Sequence, residues 1–385
     1  MRLYKYVLIL LGLSVFCQQS PMAETNKPEK VYRAIYQMKD ADWYEKQAAL
    51  WKKEVEHDRQ NAEAWYNYFM ASRYSLWRGD ADTYKSKTEA ILKEMGAYIP
   101  ESYEYNYLQY YNGNRDLSLL EKAYRIDPKR PDALYEFILH YEKNGQKEKL
   151  KKFCRELYQT EDIAPGLLNY NYNMLASTGP NALLFTNGDN DSYPGWVLQE
   201  TFGIRPDVAV LNLHLCFVDR EYLKQKLMEK GINVDVTSYP VDKMSTFLAA
   251  LADDLYKKYP QIPVYTAVTV YQQFVSTIED KLYLVGLAFK YSPERFDNWQ
   301  IINKNIHNNL RLDYLDFNWY NETYLVNDIL DDLNINYTVL FLKMAEGLKE
   351  NGNTAEAVVW KDKALHLAEK AGNEEFIEHI HELNW

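Results

Sequence analysis

Ala182-Leu183-Leu184-Phe185-Thr186-Asn187-Gly188-Asp189-Asn190-Asp191-Ser192-Tyr193-Pro194-Gly195-Trp196 decides how the middle of this chain folds. Leu183 to Thr186 is a short apolar run suited to a buried strand. Two carboxylates follow in a polar turn, and Pro194 suits the first turn of a helix. Strand, turn and helix in immediate succession point to an α/β arrangement. In open sheets of that kind ligands sit at the carboxyl ends of the strands. A chemical site is therefore expected at this turn.

Working outward, the same alternation continues. Val208–Leu213, Pro263–Val270 and Leu282–Phe289 read as further short strands. Tyr193–Phe202, Arg220–Lys230 and Val241–Lys258 read as amphipathic helices, two of them followed by Gly203 and Gly231 as C-caps. The pattern predicts a three-layer α/β domain with a mostly parallel sheet over residues 177–305.

On either side the chain reads as helix pairs. The segments beginning at Asn61 and Arg130 are similar and 69 residues apart, close to two periods of about 34, the tetratricopeptide spacing. Pro100-Glu101-Ser102-Tyr103 lies where the intermediate unit should start. Small residues such as Ala71 and Ala123 fall where packed helices approach closely. Residues 24–176 are thus expected to be tetratricopeptide-like helical repeats. Residues 306–385 form a helical C-terminal region with one more hairpin, turning at Asn351-Gly352-Asn353 with Thr354 as the cap of its second helix. A lone hairpin cannot bury its own apolar face and must pack on something else.

The first residues differ from the rest. A basic head, Met1-Arg2-Leu3-Tyr4-Lys5, precedes an uncharged apolar stretch from Tyr6 to Phe16, and residues 1–23 read as a secretory signal. Two cuts are open: before Cys17, which would then be acylated, or near Ala23. Bulky Phe16 stands where a lipoprotein signal normally has a small residue. Either way the protein is expected to be exported to the bacterial periplasm or envelope, touching a membrane only through the signal or a lipid anchor. Loss of residues 1–23 removes Arg2 and Lys5 and no acid, taking the net charge from −11 to −13. Such an acidic chain without a basic cluster is a poor match for nucleic acid or anionic lipid. Cys154 and Cys216 both sit in apolar contexts and read as buried thiols, not a disulfide framework.

Phe185 to Pro194, with Trp196, Gln199-Glu200, Gly203, Arg205-Pro206-Asp207-Val208 and Leu211-Asn212-Leu213, resembles the soluble C-terminal region of a family of large multi-pass bacterial envelope proteins. Their membrane part looks like a lipid-dependent glycosyltransferase. The likeness continues through Ile262-Pro263-Val264-Tyr265, Leu284-Val285-Gly286-Leu287-Ala288 and Asn308-Asn309-Leu310, covering roughly residues 170–370. It implies an envelope compartment and this architecture, and carries no catalytic residue across. The family's membrane spans are missing here, and His214 stands where the family usually has a small residue.

The candidate ligand-binding residues are Asn187, Gly188, Asp189, Asn190, Asp191 and His214. Asp189 and Asp191 could share Ca²⁺ or Mg²⁺, with Asn187 or Asn190 adding oxygen. The structural alternative has Asp191 or Ser192 capping the next helix, Gly188 permitting a tight turn and Asp189 bonding nearby amides. His214 at a strand's end could act as a general base or simply finish the core edge. Arg205 and Asp207 are expected to pair and lock the entrance to the second strand. Tyr103, Tyr105, Tyr107, Tyr110 and Tyr111 are mostly packing residues, with a tyrosine-lined sugar- or partner-binding groove as the other reading. Walker, dinucleotide, zinc-protease and serine-hydrolase motifs are absent.

Three functions remain open. The first is a non-catalytic envelope protein that binds a protein partner through its repeats and a glycan or peptide at the turn. The second is a metal-dependent enzyme acting on glycans or phosphorylated lipid carriers. The third is a structural scaffold.

Overall fold

Polar side chains start the helices of the N-terminal part. Asp40 accepts from the Trp43 amide at 2.7 Å and opens α1 (Ala41–His57). Asn61 accepts from Ala64 at 3.0 Å and opens α2 (Ala62–Ser75). After α3 (Ala81–Tyr98), Ser102 caps α4 (Tyr103–Asn112) and Asp116 caps α5 (Leu117–Ile126). Each such cap satisfies one backbone N–H that the helix itself leaves unpaired. The next helix is α6 (Pro131–Lys143). The computed structural model describes residues 27–77, 81–317, 324 and 327–383; the expected signal and Cys17 lie outside the described residues.

The described chain divides into two compact units between residues 139 and 140. In the first, α1 lies along α2, and α4 packs on both α2 and α3 as well as on α5. Helix starts at 62, 103 and 131 show the uneven spacing that blurs the repeat in the sequence. Trp65, Phe69, Ala71 and Ala123 are fully enclosed. Of the five tyrosines singled out, Tyr103, Tyr107 and Tyr110 are buried, and Tyr103, Tyr107 and Tyr111 stack one turn apart along α4.

The second unit begins with the end of α6 and continues through α7 (Lys147–Gln159), α8 (Pro165–Ala176), β1 (Leu183–Thr186), α9 (Tyr193–Phe202), β2 (Ala209–Asn212), α10 (Leu213–Val218), α11 (Arg220–Glu229), α12 (Met244–Lys258) and β3 (Val264–Ala267). Then come α13 (Gln272–Val275), β4 (Leu282–Leu284), β5 (Ala288–Tyr291), α14 (Trp299–Asn308), α15 (Asn327–Asn334), α16 (Asn336–Glu350), α17 (Thr354–Lys370) and α18 (Glu374–Glu382). α9 packs on α7 and α8. Gly203 and Gly231 follow α9 and α11 with φ of 67° and 72°, as C-terminal glycines do. Cys154 and Cys216 are buried free thiols.

Five strands form one sheet in the order β2-β1-β3-β5-β4. β1 runs parallel to both neighbours, pairing Leu183 with Ala209 and with Val264. Every β1 side chain is buried, worth roughly 1.5–3 kcal/mol for each large apolar residue. The other two pairings, β3–β5 and β4–β5, are antiparallel. The sheet is therefore mixed rather than mostly parallel, because Leu282–Phe289 is not one strand. It breaks at Val285-Gly286-Leu287 into a hairpin, and the Leu287 amide leaves the ladder to donate to Ser177 Oγ at 2.9 Å. A Cβ on Gly286 would collide with Ser177. The continuous apolar pattern hides this turn, since both arms of the hairpin are buried.

In the C-terminal region α16 and α17 lie along each other, with α18 on α17. Asn353, not Thr354, caps α17, accepting from Glu356. The hairpin is tied to α8: Asn173 accepts from the Arg311 amide and donates to the Arg311 carbonyl and the Tyr337 hydroxyl, all at 2.7 Å.

Candidate functional site

Because β2, β1 and β3 are parallel neighbours, their carboxyl ends share one edge of the sheet. That edge carries the turn over residues 187–192, the β2–α10 junction and the segment after β3. Asp191 is the hub of the turn and is only 3% exposed. Its Oδ2 accepts from the Asn187 amide and its Oδ1 from the Gly188 amide, each at 2.7 Å. The Thr269 hydroxyl also donates to Oδ2. Burial pushes the Asp191 carboxyl above its ordinary range, opposed by the bonds from Thr269, Asn187 and Gly188.

Asp191 thus faces back into its own turn and across to the segment after β3, and does not cap α9. Ser192 occupies the N-cap position but makes no side-chain capping bond. Its hydroxyl pairs with Thr186 Oγ1 at 2.7 Å and accepts from Asn212 Nδ2 at 3.1 Å. Two further asparagines hold the turn from outside. Asn171 of α8 donates to the Asn190 carbonyl at 2.8 Å. Asn212 caps α10 by accepting from Leu215, while its Nδ2 also reaches the Gly188 carbonyl at 3.4 Å.

The six expected site residues are therefore brought to one place, in unequal roles. Asp189 is exposed, and its carbonyl accepts from the Ser192 and Tyr193 amides. Asn187 keeps a buried Oδ1 without a hydrogen-bond partner. Gly188 has no positive φ, and nothing lies within 4 Å of where its Cβ would stand. Its smallness leaves the turn open on that side and is not demanded by backbone geometry.

His214 does not end a strand. β2 stops at Asn212, whose side chain starts α10, so His214 is the second residue of a helix. Its imidazole is exposed and stands edge-on to Phe274, with ring centroids 5.3 Å apart. Partial burial lowers its pKa, and the nearby Asp189 carboxylate raises it in part. Asp189 and His214 therefore share the rim of the site.

For a cation, Asp191 offers oxygens that already accept three hydrogen bonds. Among the described residues no group of three or more His, Cys, Asp or Glu is placed to hold a metal ion.

Sequence reasoning overlooked Asn171, Asn212 and Thr269. Asn212 carried a signal, a polar residue closing an apolar strand. Thr269 lay inside an apolar run and could be found only once β3 was placed beside β1.

The expected pair behind the site does form. Arg205 donates from Nε and Nη2 to the two Asp207 oxygens, both at 2.9 Å. The same guanidinium donates to the carbonyls of Leu175, Thr178 and Gly179 at 2.8–3.0 Å. Hydrogen bonds from Arg205 hold the Asp207 carboxyl down at about 2. This clasp joins the end of α8 to the start of β2 and fixes the register of the strand that positions Asn212.

A family model described as TMEM260-associated domain 2 matches residues 167–242. The match runs from α8 to the loop before α12 and contains the turn, the clasp and His214, while Thr269 lies beyond it. No curated protein matches the chain. No helix among the described residues is long and apolar enough to cross a membrane.

Proposed function

We propose that this is a non-catalytic protein of the bacterial cell envelope that binds a polar ligand, a glycan or a peptide, at the rim of the turn, and a protein partner through its helical repeats. The observation that carries this reading is the division of labour between the two aspartates. Asp191 is buried and consumed in holding the turn, while Asp189 is exposed beside His214, at the edge where α/β sheets take ligands. A cation-dependent enzyme would require Asp191 to exchange amide and hydroxyl donors for a metal. A rim of Asp189, Asn190 and His214 beside the aromatic ring of Phe274 instead suits hydroxyls and amides of a ligand, with an aromatic face for stacking.

The test is a panel of oligosaccharides and peptides, bound to the wild type and to an Asp189→Asn/His214→Ala variant. At least a tenfold loss of affinity with an unchanged melting temperature is expected. Ligand binding that survives the double substitution removes the turn from the binding site and leaves it a structural element.

A further inference from the structure

In the first unit a segment, residues 29–35, extended as far as Arg33 and then turning at residues 34–36, where the Tyr36 amide donates to the Arg33 carbonyl, is gripped by helices α1, α2 and α6. Four side chains hold its main chain. Gln47 Oε1 accepts from the Glu29 amide at 2.7 Å, and Trp51 Nε1 donates to the Glu29 carbonyl at 2.7 Å. Asn67 Oδ1 accepts from the Val31 amide at 2.7 Å, and the Tyr74 hydroxyl accepts from the Ala34 amide at 3.0 Å. Contacts from side chains to a partner's main chain recognise an extended backbone whatever its sequence.

Selectivity comes from alternate positions. Val31 and Arg33 are buried while Tyr32 between them is less so, the period of two of an extended chain on a surface, and Ile35 is buried again in the turn that follows. Arg33 enters between Asp132 and Glu136 of α6, at 3.7 and 3.9 Å, with its guanidinium over the Tyr135 ring at 5.1 Å. The fit is incomplete. Arg33 Nη1 makes no hydrogen bond although it is buried, and neither does the buried Tyr107 hydroxyl of α4. Buried polar atoms left in that state cost free energy, which weakens the hold of the occupant.

We propose that α1, α2 and α6 form a peptide-binding groove, filled in cis by residues 29–35, whose partner is a segment of another protein that enters extended, turns just after an arginine, and carries an aliphatic residue two positions before and two positions after that arginine. The partner binds by displacing the chain's own segment. This identifies the surface used by the repeat helices in the function proposed above and rests on that reading. Asn67 and Tyr74 clamp the incoming backbone, Asp132 and Glu136 take the guanidinium, and Tyr135 stacks on it.

The probe is a fluorescent synthetic peptide of residues 27–38, titrated into the full chain. Wild-type protein should bind it weakly, because the tethered segment competes at high effective concentration. Two variants loosen the occupant without altering the groove: Arg33→Ala, and Ala34→Pro, which removes the amide that donates to Tyr74. Each should bind the peptide at least tenfold more tightly than wild type. Adding Asn67→Ala and Glu136→Gln to the Arg33→Ala chain should abolish the gain, as should a peptide with alanine in place of arginine. If both loosened variants keep their circular-dichroism spectra and neither binds the peptide, the segment is a fixed part of the fold and the proposal falls. That failure leaves the oligosaccharide and peptide panel at Asp189 and His214 unaffected, so the two readings fail separately.

Discussion

Two aspartates two residues apart look equivalent in the sequence and are opposites in the structure. Removing the Asp191 side chain orphans the part-buried Asn187 and Gly188 amides and the buried Thr269 hydroxyl. Asp191→Ala should therefore cost about 3 kcal/mol, since each unsatisfied buried donor costs roughly 1–3 kcal/mol. Asp189→Ala, at an exposed position, should stay within about 0.5 kcal/mol of wild type. Urea denaturation of the two variants decides the matter, and equal losses would refute the assignment of roles. Asp207 yields a pH dependence. Arg205 depresses its folded-state pKa to about 2, so its contribution is present above the unfolded value near 4 and is lost as pH falls from about 4 to about 2. The side chain is 38% exposed, and screening reduces the contribution to about 1 kcal/mol. Melting curves across that window should fall less steeply for Asp207→Asn than for wild type; identical slopes would sever the link to this clasp. The turn was legible from the strand-turn-helix pattern alone. The roles within it were not, because they depend on Thr269 and on burial, neither of which local spacing encodes.

Elements with strong local signals emerged much as expected. Asn61 and Ser102 cap helices although the spacing between them departs from the expected period, Gly203 and Gly231 end others, and Leu183–Thr186 is a fully buried strand. The misreadings share a physical origin. Leu282–Phe289 was one apolar run to the eye, yet Gly286 at φ 157° lets the chain double back against Ser177. An apolar hairpin buried on both arms has no polar turn to reveal it. Two positions before His214 a polar side chain, Asn212, ended the strand and began a helix. The hairpin can be tested at its hinge. Gly286→Ala brings a Cβ into Ser177 and an L-residue into a backbone region it rarely adopts. The expected cost is about 2–3 kcal/mol from overpacking and backbone strain together. Gly188→Ala, facing open space, is the matched control and should cost less than about 0.5 kcal/mol. Should the two glycines tolerate alanine equally in chemical denaturation, Gly286 would not be the device that makes the sheet mixed.

At the scale of the whole chain, charge is the property most readily tested. The sequence carries a net charge of −11, and net negative charge favours encounter with cationic segments over anionic ones. The segment seated in cis conforms to that preference: residues 27–38 contain Lys27, Lys30 and Arg33 against the single acid Glu29. The peptide proposed for the groove is thus opposite in sign to the chain as a whole, which composition alone does not place on the surface. The docking position depends on Asn67, Tyr74 and Glu136, which lie on two helices far apart in sequence. Attraction of this kind acts mainly on encounter, so it should appear in the association rate more than in dissociation. With the Arg33→Ala chain and the 27–38 peptide in stopped-flow fluorescence, raising salt from about 50 to about 500 mM shortens the screening length to a few ångströms. The association rate should fall about tenfold while the dissociation rate changes less than about threefold. A peptide in which Lys27 and Lys30 are replaced by glutamine should lose most of the salt dependence and still bind through its arginine. Association indifferent to salt would show that the acidic surface plays no part in bringing cationic segments to the groove, and that recognition is local to Asp132 and Glu136.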